Sequence, residues 1–503
     1  MTKIIIVGAG TAGMACAIRA AECGAQVVII EKDSQVGGTL HLTAGHMSAG
    51  GTKRQAERGI VDSPQQHYDD VMRISNHTAN PDVVRLATQL APQTIDWLQE
   101  NGFPFEPNTP QFIYGHTPYQ TARTHWGTTS YSGTEIKWAG SAIFDTMKPL
   151  WDKYVTEGKI ELHLNTRMVS IAQEGNGWEV AIEKKVEEEE AARALQSVEL
   201  KNNNATTARA APSKLNTQNV VLTTGGYGSN PDFFHKMHPN WRLVSTARHT
   251  STGDGALAAM AVGAQFWNAD KHTATLGGLE TEPNSGRTDF WKNWGRVSNS
   301  MDRKPREIYV NAHGRRFMDE NLNDPDPREK AAEAQPDRKF WVIFDEKALH
   351  EEGGCLIPQW APDRLAAEAE NGVFAWKANS ISELAKKTRL DEGTLEQTVA
   401  RFNTFVTHQR DEDFGRTYLQ NTVSQAPFYA ILTHCFSLVT FGGLAVNAQL
   451  QVIDNQQQPI EGLYAAGEIV GGGATCGHAF VGGMFLTPAL SFGRYLGQKL
   501  ATF

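Results

Sequence analysis

An α/β fold built on a parallel sheet, split by a long α+β insertion, is what this 503-residue sequence predicts. Three observations predict it. A strand–helix–strand unit opens the chain, with continuous β-branched residues on both strands, the pattern of a sheet buried on both faces. Two further apolar strands, Val220–Thr224 and Gly462–Ala466, each run directly into glycines. Between them, from about 270 to 438, short strands mix with helices, a composition expected of a second unit inserted into the first.

The elements follow in order. Lys3–Val7 is the first strand, Gly13–Cys23 the helix and Gln26–Ile30 the second strand, which ends at Glu31. Asp82–Asn101 has helical periodicity, with Pro81 before it and Asn101-Gly102 as a stop signal. Gly177–Ile182 and Ser197–Leu200 alternate like antiparallel strands. The acidic run Glu187–Glu190 and the polar stretch 202–212 mark a solvated hairpin extension. Ser382–Lys387 and Thr394–Phe405 are helices of the insertion, and Pro488–Leu500 is the closing helix. The resulting division is 1–269, 270–438 and 439–503, the first and third parts forming one domain.

Composition narrows the function. With 40% hydrophobic and 20% charged residues the chain is globular, and a net charge of -9 without a basic patch argues against nucleic acid as a partner. The five cysteines, Cys16, Cys23, Cys355, Cys435 and Cys476, show no metal or redox spacing, so no metal site is expected and a cytoplasmic location fits best. The apolar start at Ile4–Val7 is too short for a signal peptide, and no stretch approaches the ~20 residues of a membrane span.

Gly8, Gly10 and Gly13 form G-x-G-x-x-G between strand and helix, with Glu31 near the ~20-residue offset of a ribose-binding acid. In such a Rossmann-like unit Gly8 permits the turn, Gly10 lets backbone approach a diphosphate, and Gly13 lets helix and strand pack closely. The helix N-terminus adds amide donors and partial positive charge. FAD and NAD both remain open at this point.

Further segments narrow the choice. Glu31-Lys32 precedes Gly37-Gly38-Thr39 and Ala44-Gly45-His46-Met47-Ser48-Ala49-Gly50. Then come Arg123-Thr124-His125, Thr224-Gly225-Gly226, Ser251-Thr252-Gly253-Asp254-Gly255, Tyr309-Val310-Asn311 with Gly314-x-Arg316-Phe317, and Gly462-Leu463-Tyr464-Ala465-Ala466-Gly467-Glu468. In order and spacing the set resembles the fumarate reductase and ketosteroid dehydrogenase flavoproteins over nearly the whole chain. The resemblance implies a Rossmann-like FAD-binding domain with an inserted α+β capping domain. It also implies FAD contacts from Gly8, Gly10, Gly13, Glu31, Lys32, Gly38, Thr39, Ala44, Gly45, Gly225, Asp254, Gly467 and Glu468. Met168 and Val169, ending a Leu162–Val169 segment, are expected at the adenine through backbone atoms. Leu486, Ala489 and Leu490 are expected to open a helix toward the flavin. Leu40 stands where some members carry a histidine tether, so non-covalent FAD is expected, with His41 and His46 the nearest alternatives.

Departures from the pattern bear on substrate. Two polar dicarboxylate clamps of the fumarate reductases are apolar here: Leu438-Val439 precede Thr440-Phe441-Gly442-Gly443-Leu444, and Ala479-Phe480 precede Gly482-Gly483. Burying a dicarboxylate against such side chains is costly. Gly477–Gly482 and Pro488–Gly493 resemble the ketosteroid dehydrogenases, whose ketone-polarising tyrosine is replaced by Phe480. Arg328 resembles the proton-relaying arginine of fumarate reductases, while His249, His272 and His434 carry weaker signals. The loop Tyr114–Trp138 holds Tyr114, His116, Tyr119, Trp126, Tyr131 and Trp138, either a substrate lining or a core beneath a loop. A phenol at Tyr119 or Tyr131, or the amides around Gly482, are then candidate stabilisers of an enolate. The expected reaction is α,β-dehydrogenation of an alicyclic or steroid-like ketone, with an unassigned electron partner. The alternatives are reduction of an activated carbon–carbon double bond with Arg328 as proton donor, and a non-catalytic FAD-binding role.

Overall fold

The computed structural model describes residues 3–112, 118–128, 130–132, 135–137, 139–185, 212–288, 304–322, 324–351, 356 and 362–502. Strand β1 (Lys3–Val7), helix α1 (Thr11–Glu22) and strand β2 (Gln26–Ile30) form the expected opening unit. The helix starts two residues before its expected first residue, capped by extended Gly10. Strand β3 (Ile160–His163) lies beside β2, and β4 (Thr166–Glu174), β5 (Gly177–Lys184) and β6 (Ser213–Thr217) form a separate antiparallel sheet. The expected Leu162–Val169 segment is thus two strands divided by a turn at Asn165, which takes φ 53°. The partner of β5 across the hairpin is Ser213–Thr217; Ser197–Leu200 and Glu187–Glu190 fall outside the described residues.

Strand β7 (Asn219–Leu222) returns to the first sheet, and near the end of the chain β13 (Gln451–Ile453) and β14 (Pro459–Ala465) complete it. Its order is β13-β14-β7-β1-β2-β3, parallel except for the edge pair β13-β14. Ile30 and Leu222 both register with Val7, and Ala465 with Leu222. The parallel strands therefore end together, and the loops that follow them meet along one edge, the ligand crevice of this sheet type. Helix α5 (Leu486–Ala501) packs along α1 behind that edge.

The intervening chain builds its own sheet. Strands β8 (Thr275–Gly278), β9 (Ile308–Val310), β10 (Lys339–Asp345), β11 (Ala375–Ala378) and β12 (Phe428–Phe436) are antiparallel, in the order β8-β12-β10-β9 with β11 on β12. Helix α2 (Pro81–Glu100) belongs to the first body, α3 (Asp254–Ala261) leads toward the insertion, and α4 (Pro325–Glu333) lies within it. One hydrophobic cluster joins the two chain ends, from Ile4 to Leu500. Two others flank the second sheet, one through Phe340 and Phe344, the other through Trp341 and Phe402.

Candidate FAD cleft and active site

A cleft of about 1440 Å³, counted to its open mouth, follows the edge where β1, β2 and β7 end. Gly8 turns the chain at the tip of β1 with φ +100°, and a Cβ there would lie 2.9 Å from the Thr223 carbonyl carbon. Gly13 sits where α1 crosses β1: a Cβ would overlap the Gly8 carbonyl oxygen and come within 2.8 Å of Thr223 Oγ1. A Cβ on Gly10, by contrast, would meet nothing within 4 Å, because Gly10 faces the cleft. Glu31 accepts hydrogen bonds from the Ala9 amide (2.7 Å) and the Asp33 amide (2.8 Å), one at each carboxylate oxygen. Each oxygen keeps a lone pair for a further donor. Thr224, also on the cleft wall, has a buried hydroxyl without a hydrogen-bond partner among the described residues. An open cradle at a helix N-terminus, a carboxylate at the next strand tip and an unused hydroxyl fit a dinucleotide.

At the far end, Glu468 is half-buried and accepts from the Thr440 amide (2.8 Å) and Thr440 Oγ1 (2.9 Å). Burial pushes its carboxyl above the usual carboxylate range, and the bonds from Thr440 and Gly226 offset only part of that. Leu486 and Ala489 of the α5 first turn line the same end.

Of the expected FAD contacts, Gly8, Gly10, Glu31, Lys32, Gly38, Thr39, Met168, Gly225, Asp254, Gly467, Glu468, Leu486 and Ala489 line the cleft. Gly13 packs behind it. Val169 does not line it: a break in register between Met168 and Ser170 turns it outward, 41% exposed. Ala44 and Gly45 also lie off the lining; Thr43 stands there instead, its hydroxyl accepting from the Gly45 amide as the chain turns toward the Met47–Ser48 strand. Leu490 is buried in the main core. Leu40 is wholly buried as well, while His41 Nε2 lies 2.9 Å from the Val36 carbonyl and its ring packs 4.7 Å from Phe144. His46 packs edge-on to Trp126, and burial lowers its pKa to about 4. Neither histidine lines the cleft.

The catalytic candidates separate. Tyr119 is buried, its hydroxyl donating to the Gly482 carbonyl (2.5 Å) and lying 3.2 Å from Ser48 Oγ. Neither Tyr119 nor Gly482 lines the cleft, so this phenol is committed to a backbone carbonyl away from it. Phe480 also stands off the lining, but its ring lies 5.1 Å from Phe485, which does line it. From Phe485 the aromatic wall continues to Phe441 (5.8 Å) and then His272 (5.9 Å). Tyr114, His116 and Trp138 lie outside the described residues.

His272 is the residue that sequence reasoning undervalued. Both ring nitrogens are buried without a hydrogen-bond partner among the described residues, and the ring is enclosed by Phe234, His238, Trp241 and Phe441. Burial, with His238 and Arg338 nearby, holds its pKa well below the usual value, so the imidazole is neutral. A neutral ring keeps one donor and one acceptor, and leaving both unused in a core is costly. Arg328 is 2% exposed on α4, its Nη2 3.9 Å from Glu329 Oε1. The same helix reaches the His272 segment through Glu333, which accepts from the Ala274 amide at 2.5 Å.

The comparisons agree with this geometry. The family model described as FAD binding domain matches residues 3–483. A probable fumarate reductase of Shewanella frigidimarina is 27% identical, the match covering 99% of this chain and 75% of the relative. A vinyl phenol reductase of Lactiplantibacillus plantarum is 26% identical over 95% of this chain and 94% of its own. A 3-ketosteroid Δ1-dehydrogenase structure from Sterolibacterium denitrificans superposes with a TM-score of 0.78, covering 100% of both chains at 20% identity, a likeness of fold. The chain belongs to the FAD binding domain family and is an FAD-dependent oxidoreductase.

Proposed function

We propose that this protein reduces an activated carbon–carbon double bond in a flat, largely apolar substrate, with Arg328 as proton donor. The observation that carries this reading is a buried guanidinium in the insertion, on the helix that abuts the His272 segment. Burying a cation is costly unless it is paired, so what supports a chemical role is the place of Arg328 beside the His272 segment and its resemblance to the proton-relaying arginine of fumarate reductases. The FAD contacts are the cleft-lining residues given above, held non-covalently, because Leu40 and His41 both face protein. Bound FAD supplies the hydride. His272 hydrogen-bonds the electron-withdrawing group of the substrate, and Phe441, Phe480 and Phe485 exclude water around the double bond. Arg328 then gives a proton from its guanidinium to the substrate carbon adjacent to that group. The capping domain is residues 270–438.

Val439 on the cleft wall and Phe480 near it put apolar side chains where a dicarboxylate would need charged donors, so fumarate and succinate are not substrates even though a relative is named for fumarate. The reverse reaction, dehydrogenation of a cyclic ketone, uses the same parts. Its candidate phenol Tyr119 is engaged with the Gly482 carbonyl. The described cysteines Cys16, Cys23, Cys435 and Cys476 are free thiols, which fits a reducing compartment. None of the described helices is long and apolar enough to cross a membrane.

Anaerobic stopped-flow decides the direction. Dye-reduced protein should be reoxidised by aryl alkenes or enones and not by fumarate. Bleaching of the oxidised flavin by cyclic ketones, without reoxidation by any alkene, would reverse the assignment.

A further inference from the structure

Two ion pairs cross the mouth of the FAD cleft; Lys32 and Asp254 are among the expected FAD contacts, but the pairing of one wall with the other is a separate feature. Lys32 and Asp33 follow β2 on one wall; Arg248 and Asp254 belong to the loop that enters α3 on the other. Lys32 Nζ donates to Asp254 Oδ2 at 2.8 Å and to Thr252 Oγ1 at 2.5 Å. Arg248 donates through Nε (3.0 Å) and Nη2 (2.6 Å) to Asp33 Oδ2, and through Nη1 to the Gly38 carbonyl at 3.3 Å. All four charged residues line the cleft. Their side chains are between 11% and 27% exposed, which puts them at its rim.

The charges are arranged crosswise. One wall offers a cation and then an anion on consecutive residues, and the other answers with an anion and a cation. A slip of the Lys32–Asp33 segment by one residue would set like charges against each other, so the pairing fixes its register as well as closing the gap. Thr252 Oγ1 also donates to Asp254 Oδ1 at 2.9 Å, holding that carboxylate toward Lys32. The bond from Arg248 to Gly38 brings the staple to a residue on the cleft floor, near the cradle at Gly10.

We propose that the crossed pairs Lys32–Asp254 and Arg248–Asp33 form a clasp that closes over bound FAD and sets how fast the cofactor leaves. FAD release requires both pairs to part, because the two walls they join must separate to free the cleft. The clasp acts on residence time, and it is electrostatic at a partly wet rim, so it weakens with salt.

The test is the rate of FAD release from the holoprotein, followed as free-flavin fluorescence after large dilution. For the wild type, raising salt from 0.05 to about 1 M should speed release several-fold. Asp33→Asn and Arg248→Gln should each speed release about tenfold at low salt and lose most of the salt response. The exchanged double variant Asp33→Arg with Arg248→Asp should recover slow, salt-sensitive release. Melting of the apo forms checks that each variant folds, and the wild-type salt arm needs no variant. Release that ignores both salt and the single substitutions overturns the clasp. So does fast release from the exchanged variant, which would mean that Arg248 holds the cofactor directly.

Discussion

Tyr119→Phe separates a structural phenol from a chemical one. The substitution removes a single hydroxyl. The ring keeps its edge contact with His67 (5.5 Å) and its position under the Arg123 guanidinium (5.0 Å), so packing is preserved. What is lost is the 2.5 Å bond to the Gly482 carbonyl and the 3.2 Å contact with Ser48. A buried acceptor deprived of its donor costs about 1–3 kcal/mol, and in a protein of this size that lowers Tm by roughly 1–3 °C. Burial raises the phenol pKa, with only partial relief from the Ser48 bond, so the hydroxyl stays protonated and stays a donor to Gly482. Had it instead stabilised a developing enolate, its loss would slow chemistry by about 10²–10³. The expected outcome is a lower Tm in flavin-fluorescence melting, with stopped-flow hydride transfer slowed by less than about tenfold. A hundredfold slower reaction at unchanged Tm would refute the reasoning.

Three more outcomes follow from particular contacts. Gly13→Ala puts a methyl into the Gly8 carbonyl oxygen, and because backbone must move, stability should fall by about 1–3 kcal/mol or more with loss of FAD on gel filtration. Arg328→Gln should lower alkene reduction by about 10²–10⁴ while leaving flavin reduction by a dye unchanged; equal losses in both half-reactions would remove it as proton donor. Burial, with Glu329 adding to it, raises the Glu333 carboxyl from 4.5 to about 7 against the Ala274 amide bond and the Arg338 and Lys330 charges. Between those pH values the folded state binds a proton that the unfolded state has released, so stability falls as pH rises through this window and is level above it. Glu333→Gln should therefore gain about 1–3 kcal/mol over the wild type at pH 8 and almost nothing at pH 4, seen as a Tm difference that vanishes on acidification.

The sequence by itself determined what is written locally. The β1-α1-β2 unit, the glycines at its turn and the acid at the end of β2 lie within about thirty residues, and their roles depend on neighbours in the chain. Segments in a fixed order were enough to mark stretches of the cleft wall, from Gly38 and Thr39 to Glu468 and Ala489. Tertiary structure decided everything that depends on which face a residue presents. A one-residue irregularity in β4 separates Met168 from Val169, and no pattern of residue types announces it. Tyr119 is an aromatic in a loop until Gly482, 363 positions away, takes its hydroxyl. His272 is an ordinary lone histidine until Phe234, Trp241 and Phe441 close around it and leave both nitrogens without partners among the described residues. Lys32 and Asp33 are two charges after a strand until a loop more than 200 residues later brings Arg248 and Asp254 opposite them. Backbone propensity and turn chemistry act over a few residues and can be seen in the chain. Burial, desolvation and the satisfaction of polar groups are set by residues that meet only when the two sheets and their loops are assembled.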